Sequence, residues 1–162
     1  MIGGIKRDKY DDIFSLYIRA KENFTCVLTG KRYRPPKELE KLNKKLFDKL
    51  NNPSFTSSQG LHCSHYFGRV NKSVRYDEDN ADSFSMMKHQ EYEEEKGECK
   101  DCNAPRKYKK FMIEKLGEEG FDNLTRKKNQ IKQYKKGKIK GKKWDQRDEV
   151  VLEYYKEKIR SL

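Results

Sequence analysis

The chain has 162 residues, 33% apolar and 40% charged, with a net charge of +12 and a pI near 9.4. That length and composition suit one domain with a small core, and the basic balance favours a polyanionic partner over an acidic or neutral one. No long apolar run is present, and the opening Met1-Ile2-Gly3-Gly4-Ile5-Lys6 leads into charged residues. The expectation is therefore no membrane span, no export signal and a reducing, cytoplasmic setting in which paired cysteines point to metal before disulfide.

Residues 8–20 place Tyr10, Ile13, Phe14, Tyr17 and Ile18 at helical spacing, with Asp8, Asp11 and Asp12 at the N-terminal end. Phe24 to Lys31 is predicted as a strand entering a tight turn. Pro35-Pro36 opens a second helix with Leu39, Leu42, Leu46 and Leu50 on one face, closed by Asn51-Asn52-Pro53. Ser54 to Gly60 is a polar loop. Leu61 to Val70 is predicted as a strand, Asn71-Lys72-Ser73 as a turn, and Val74-Arg75-Tyr76 as the partner strand.

Asp77-Glu78-Asp79-Asn80 breaks that strand. Asp82, Ser83 and Ser85 are candidate N-caps for a helix running to about Lys96 and stopped by Gly97. Cys99-Lys100-Asp101-Cys102 forms a knuckle-like turn. Pro105 starts a helix with Tyr108, Phe111, Met112 and Leu116 on one face before Gly117, followed by a short helix around Glu118 to Leu124. From Arg126 to Lys143 there are ten Lys/Arg and no acid, a block expected to be disordered when free and to contact phosphates through residues such as Lys127, Lys128, Lys135 and Lys136. A solubilising linker is the alternative. Trp144 to Leu162 ends in a helix whose Val151, Leu152, Tyr155, Ile159 and Leu162 can dock.

Strand, turn, strand and helix, with a histidine on the first strand and another on the helix, is a layout suited to one-metal phosphodiester hydrolysis. That chemistry needs a base for water, a cation for the charge on phosphate, and a group that orients the base. His65 suits the base because imidazole titrates near neutral pH. His89 and Glu93 lie one helical turn apart and offer nitrogen and oxygen to Mg²⁺, Mn²⁺ or Zn²⁺. Asn80 can pin the loop beside His65. Each residue alone also fits a packed histidine, a solvated helix face or a common turn, so the signal lies in their order.

The ordered stretch resembles the HNH (ββα-metal) endonuclease superfamily, and more narrowly the small phage proteins of the NinG/Rap recombination group of lambda-like phages. Asp12-Ile13-Phe14-Ser15-Leu16-Tyr17-Ile18-Arg19 followed by Cys26-Val27-Leu28-Thr29-Gly30-Lys31 is similar to that group's opening. His62-Cys63-Ser64-His65-Tyr66-Phe67-Gly68-Arg69 and Arg75-Tyr76-Asp77-Glu78-Asp79-Asn80-Ala81 are similar to its core, and Phe111 to Leu124 to its closing helices, so that the resemblance covers about residues 11 to 130.

The resemblance implies an α+β fold: a small ββα-metal core of hairpin and helix, surrounded by additional helices. The nuclease-like domain would span 1–125 with a helical insertion near 36–50, followed by a basic linker at 126–143 and a C-terminal helix at 144–162. It assigns His65 as base, Asn80 as orienting residue and His89 as metal ligand, with Arg69 and Arg75 near phosphate. The implied partner is DNA, branched or nicked substrates included, cut with one divalent cation in phage recombination or genome processing; a dimer stays open.

Two positions depart from the family pattern. Ser64 stands where many members place a metal-ligating Asp or His, so that His62, Glu93 or water would compensate. Cys26 pairs with Thr29, while Ser85 and Lys88 occupy the other pair of zinc-ligand positions. Cys26, Cys63, Cys99 and Cys102, or His62 in place of Cys63, could rebuild a structural zinc site; four free thiols are the alternative. An alternative frame uses Asn103 as the third HNH position. A non-catalytic nucleic-acid-binding module on the same fold is the competing function, and an RNA- or ribosome-directed basic protein a third.

Overall fold

A computed structural model describes residues 7–136 and 149–162. The fold is mixed α+β. Two compact units divide it, one built from 7–64, 82–89 and 149–162, the other from 65–81 and 90–136. Among the described residues no helix is long and apolar enough to cross a membrane.

The first unit begins with α1 (Lys9–Lys21), which follows the predicted periodicity closely. Asp8 closes its N-terminus with a capping box: its side chain accepts from Tyr10 and Asp11 N–H, and Asp11 returns a bond to the Asp8 N–H. The face carrying Phe14 and Tyr17 meets α6 (Glu149–Ser161), with Tyr155 at 5.0 Å from the Phe14 ring and 5.1 Å from Tyr17. Tyr155 and Ile159 of the predicted docking face are buried, whereas Leu162 is 48% exposed. Trp144, where that helix was expected to begin, lies outside the described residues.

The segment Phe24 to Lys31 is a tight turn and not a strand. Among the described residues its only ladder contact is the antiparallel bridge Thr25–Arg32, and Asn23, Phe24 and Gly30 all have positive φ, which breaks extended backbone. The leucine-rich segment forms two helices, α2 (Lys37–Leu42) and α3 (Lys44–Leu50), separated by Asn43. Asn43 caps α3 through Leu46 N–H at 2.9 Å and donates to the Ile159 carbonyl at 2.9 Å. The polar loop before the central stretch holds β2 (Thr56–Ser57), parallel to β1 (Tyr33–Arg34) in the register Tyr33–Thr56 and Arg34–Ser57.

The central strand β3 is Leu61–His65, shorter than expected, and its neighbour is β4 (Ala81–Ser85). Val74-Arg75-Tyr76 is not the partner strand. The Asn80 side chain occupies the backbone of Phe67 and Val74, so these groups serve a closed loop in place of a ladder. Asp82 and Ser83 therefore lie on a strand. Of the three expected caps, Ser85 performs that job, its Oγ accepting from Lys88 N–H at 3.4 Å at the start of α4 (Met86–Glu93). That helix stops at Glu93, short of Lys96.

In the second unit, Tyr66, Val74, Tyr76, Tyr108, Met112, Phe121 and Leu124 are buried, with Tyr66 edge-on to Tyr108 and Phe121 at 5.1 and 5.4 Å. Helix α5 (Lys107–Lys136) is broken at Gly117, whose φ of 72° and ψ of 165° suit glycine alone. The break falls where the sequence placed it. Past the break, however, the helix runs on beyond Leu124, and the basic block up to Lys136 is helical rather than irregular; its remainder lies outside the described residues.

Candidate functional site

Two constellations carry the candidate chemistry, one in each unit. In the first unit, β3 presents His62 and Ser64 on one face by the two-residue period of a strand, and α4 presents His89. The His62 and His89 rings lie with centroids 5.1 Å apart and planes 37° apart. His89 Nδ1 is 3.0 Å from Ser64 Oγ, and Ser64 is fully buried. In the tautomer that donates from Nδ1, the His89 lone pair sits on Nε2, as a metal-facing imidazole requires. Ser64, a poor ligand by chemistry, thus holds the His89 ring through a hydrogen bond. Sequence reasoning missed that role, because nothing in the local pattern tells a strand serine which helix it will face.

Burial, followed by the nearby positive charges of Arg19 and Arg7, lowers the His62 pKa from its ordinary value and favours the neutral, lone-pair form. Arg19 is anchored to backbone, donating to the Ser15 carbonyl at 3.1 Å and the Ser58 carbonyl at 3.4 Å. Two imidazoles bound to one tetrahedral ion through bonds of about 2.0–2.1 Å would have ring centroids roughly 5 Å apart. The observed pair fits that spacing. Among the described residues no group of three or more His, Cys, Asp or Glu side chains could hold a metal ion, so any ion at this pair would take its further ligands from water or substrate oxygen.

In the second unit, His65 Nε2 is 2.9 Å from the Arg75 carbonyl. A carbonyl only accepts, so Nε2 carries the proton and Nδ1 is the basic nitrogen of the neutral ring. The His65 carbonyl accepts from Lys96 Nζ at 2.9 Å. Asn80, fully buried, ties the loop together: Oδ1 accepts from Phe67 N–H at 2.8 Å, and Nδ2 donates to the carbonyls of Phe67 at 2.9 Å and Val74 at 2.8 Å. The orienting group expected for His65 is therefore a backbone carbonyl, held by the loop that Asn80 closes.

Several other expected residues are placed differently. Arg75, expected beside phosphate, is 1% exposed and packs over the Tyr76 ring at 5.5 Å, so its side chain is buried and its carbonyl is the group that meets His65. Arg69 is half-buried. Glu93 accepts from Lys96 at 2.8 Å. Lys127 pairs with Asp77 at 2.8 Å, and Lys128 lies over the Phe67 ring at 4.6 Å. Arg126 and Lys127 line a cavity of about 320 Å³ with Asp79, Gly120 and Asn123. The side chains of Lys135 and Lys136 lie outside the described residues. Asn103 sits in the turn after Cys102 with φ 56°.

None of the four cysteines is in a disulfide. Cys26 is enclosed; burial alone would raise its pKa, but the Thr29 side chain and the N–H groups of Ser85, Leu28 and Thr29 outweigh burial and lower it. Cys26, Thr29 and Ser85 are thus brought together and joined by hydrogen bonds. Burial pushes the Cys63 thiol up to about 12. At pH 8 about one Cys63 in ten thousand is then thiolate. Brief alkylation at pH 8 followed by mass spectrometry should label Cys99, whose pKa is lowered, faster than Cys63, whose pKa is raised. Equal labelling of the two would contradict that difference.

No family model, no curated protein and no solved structure matches this chain.

Proposed function

We propose that the chain is a metal-dependent endonuclease of the HNH type that hydrolyses DNA phosphodiester bonds, with β3, β4 and α4 as its ββα-metal core. The observation that carries this reading is the His62–His89 pair, whose 5.1 Å ring separation suits one shared ion. His62 and His89 are the ligands and Ser64 orients His89; the sequence resemblance adds His65 as general base, a residue whose tautomer is set by the Arg75 carbonyl in the loop that Asn80 holds closed. A divalent ion at the imidazole pair would supply electrostatic stabilisation of the phosphate. Two nitrogen donors favour Mn²⁺ or Zn²⁺ over Mg²⁺, which prefers oxygen. The net charge of +12 supports a polyanionic substrate, and phage recombination or genome processing is the setting implied by the sequence resemblance.

The test is nicking of supercoiled plasmid by the full chain with Mg²⁺, Mn²⁺ or Zn²⁺, with and without EDTA. Nicking that needs the metal, and is lost in His62→Ala and in His89→Ala, is the expected result. A second reading, a non-catalytic nucleic-acid-binding module, is favoured by the small number of protein ligands at the pair. Salt-sensitive DNA binding without nicking in any of these metals would select it.

A further inference from the structure

The turn at Cys99 repeats the backbone pattern of the turn at Cys26. In the first, Cys26 N–H donates to the Lys31 carbonyl at 2.9 Å and Gly30 N–H to the Cys26 carbonyl at 2.8 Å. In the second, Cys99 N–H donates to the Ala104 carbonyl at 2.8 Å and Asn103 N–H to the Cys99 carbonyl at 2.9 Å. Both place a positive-φ residue four positions after the cysteine, Gly30 at 69° and Asn103 at 56°. Both aim the N–H groups of the second and third following residues at the sulfur. Such a turn presents one sulfur and the side chain three residues on to the same point. At Cys26 that side chain is Thr29; at Cys99 it is a second thiol, Cys102.

We propose that Cys99 and Cys102 form half of a tetrathiolate site for a thiophilic divalent cation such as Zn²⁺, completed by the same pair from a second copy of this chain. The two thiols are already in hydrogen-bond contact, and the antiparallel bridge Glu98–Pro105 closes the hairpin beneath them. Within one chain the set is incomplete, because no third ligand stands with the pair among the described residues, whereas structural zinc takes four. Residues 100–105 are all exposed, so the tip is open to a neighbour.

Charge points the same way. Glu98 pairs with Lys109, and Asp101 offsets Lys100, so the exposed residues 100–105 carry no net charge on a chain of net charge +12. Two copies can meet there with little charge repulsion of tip on tip. This site is independent of the nuclease reading.

The experiment uses the full reduced chain, titrated with Zn²⁺ and with Co²⁺ as an optical probe, while light scattering reports mass. Doubling of the mass at one thiolate-bound ion per two chains, a thiolate-to-cobalt charge-transfer band, and reversal by EDTA are expected. The C99S/C102S variant, altered only in an exposed turn, should keep its circular dichroism, lose the band and stay at the mass of one chain. A band with no change in mass, a band that survives C99S/C102S, no band at all, or a dimer that persists in EDTA would each overturn the proposal.

Discussion

His65→Ala should slow metal-dependent plasmid nicking by about 10²- to 10⁴-fold, the range over which a positioned general base contributes to proton transfer. The argument rests on the bond from His65 Nε2 to the Arg75 carbonyl at 2.9 Å, which fixes both the ring plane and the nitrogen that carries the proton. His65→Gln separates these roles. Its amide nitrogen reaches the position of the imidazole Nε2 and can still donate to the carbonyl, so the loop is retained, but it has no nitrogen that accepts a proton near neutral pH. Both variants should therefore be slowed to that extent, and His65→Gln should match the parent in thermal unfolding. Nicking at the parent rate by either variant would remove His65 from the chemistry.

Asn80→Ala should be the most damaging single change to the fold of the second unit. It deletes three hydrogen bonds of 2.8 to 2.9 Å from a fully buried side chain and strands the N–H and carbonyl of Phe67, while the Val74 carbonyl keeps Asp77 N–H at 3.3 Å. Each stranded group costs about 1–3 kcal/mol, so a loss of about 2 kcal/mol or more is expected against a total stability of about 5–15 kcal/mol. In urea that corresponds to a midpoint lower by about 1–2 M. Asn80→Asp keeps the acceptor for Phe67 N–H but sets a carboxylate against two carbonyl oxygens, and should be no better. Hydrogen exchange at Phe67 should quicken in both. An unchanged midpoint would show that the loop is held by other contacts.

The features visible in the sequence were those written locally. The α1 helix was legible because its apolar spacing and the Asp8 cap lie within one segment, and Gly117 was legible as a break because few other residues tolerate its backbone. The partner of β3 was not. Val74-Arg75-Tyr76 has the side chains of a strand, while Ala81-Asp82-Ser83-Phe84-Ser85 carries residues typical of turns and caps, yet the second segment pairs. Tertiary context overrides such weak propensities. Here the override is the Asn80 amide, which takes the carbonyl of Val74 six residues away.

The division of α2 from α3 was hidden for a similar reason. The leucine spacing runs through Asn43, but Asn43 is held from the far end of the chain by the Ile159 carbonyl. In the candidate site, the order of His65, Asn80 and His89 could be read because they are close in sequence. His62 was among the expected companions of His89, whereas the bond between Ser64 and His89 could not be read, since it depends on how a strand packs on a helix. Arg75 was misread because a basic residue next to a reactive segment looks like a phosphate contact until its burial is known.

The hydrogen bonds around Cys26 bear on how chelation experiments are interpreted. In many small cysteine-ligated folds a chelator is a denaturant, so loss of activity cannot be told from loss of structure. Here the Cys26 sulfur is fastened to Leu28, Thr29 and Ser85 by the protein's own donors, and the junction of that turn with β4 is further tied by Val27 N–H to the Ser83 carbonyl at 3.0 Å. Nicking abolished by EDTA with circular dichroism intact is the expected pair of results, and a collapse of helical signal in EDTA would show that a metal holds this unit together. The turn thus acts as an internal control for this unit, separating a loss of nicking from a loss of fold, while the mass of the chain reports separately on the Cys99–Cys102 site.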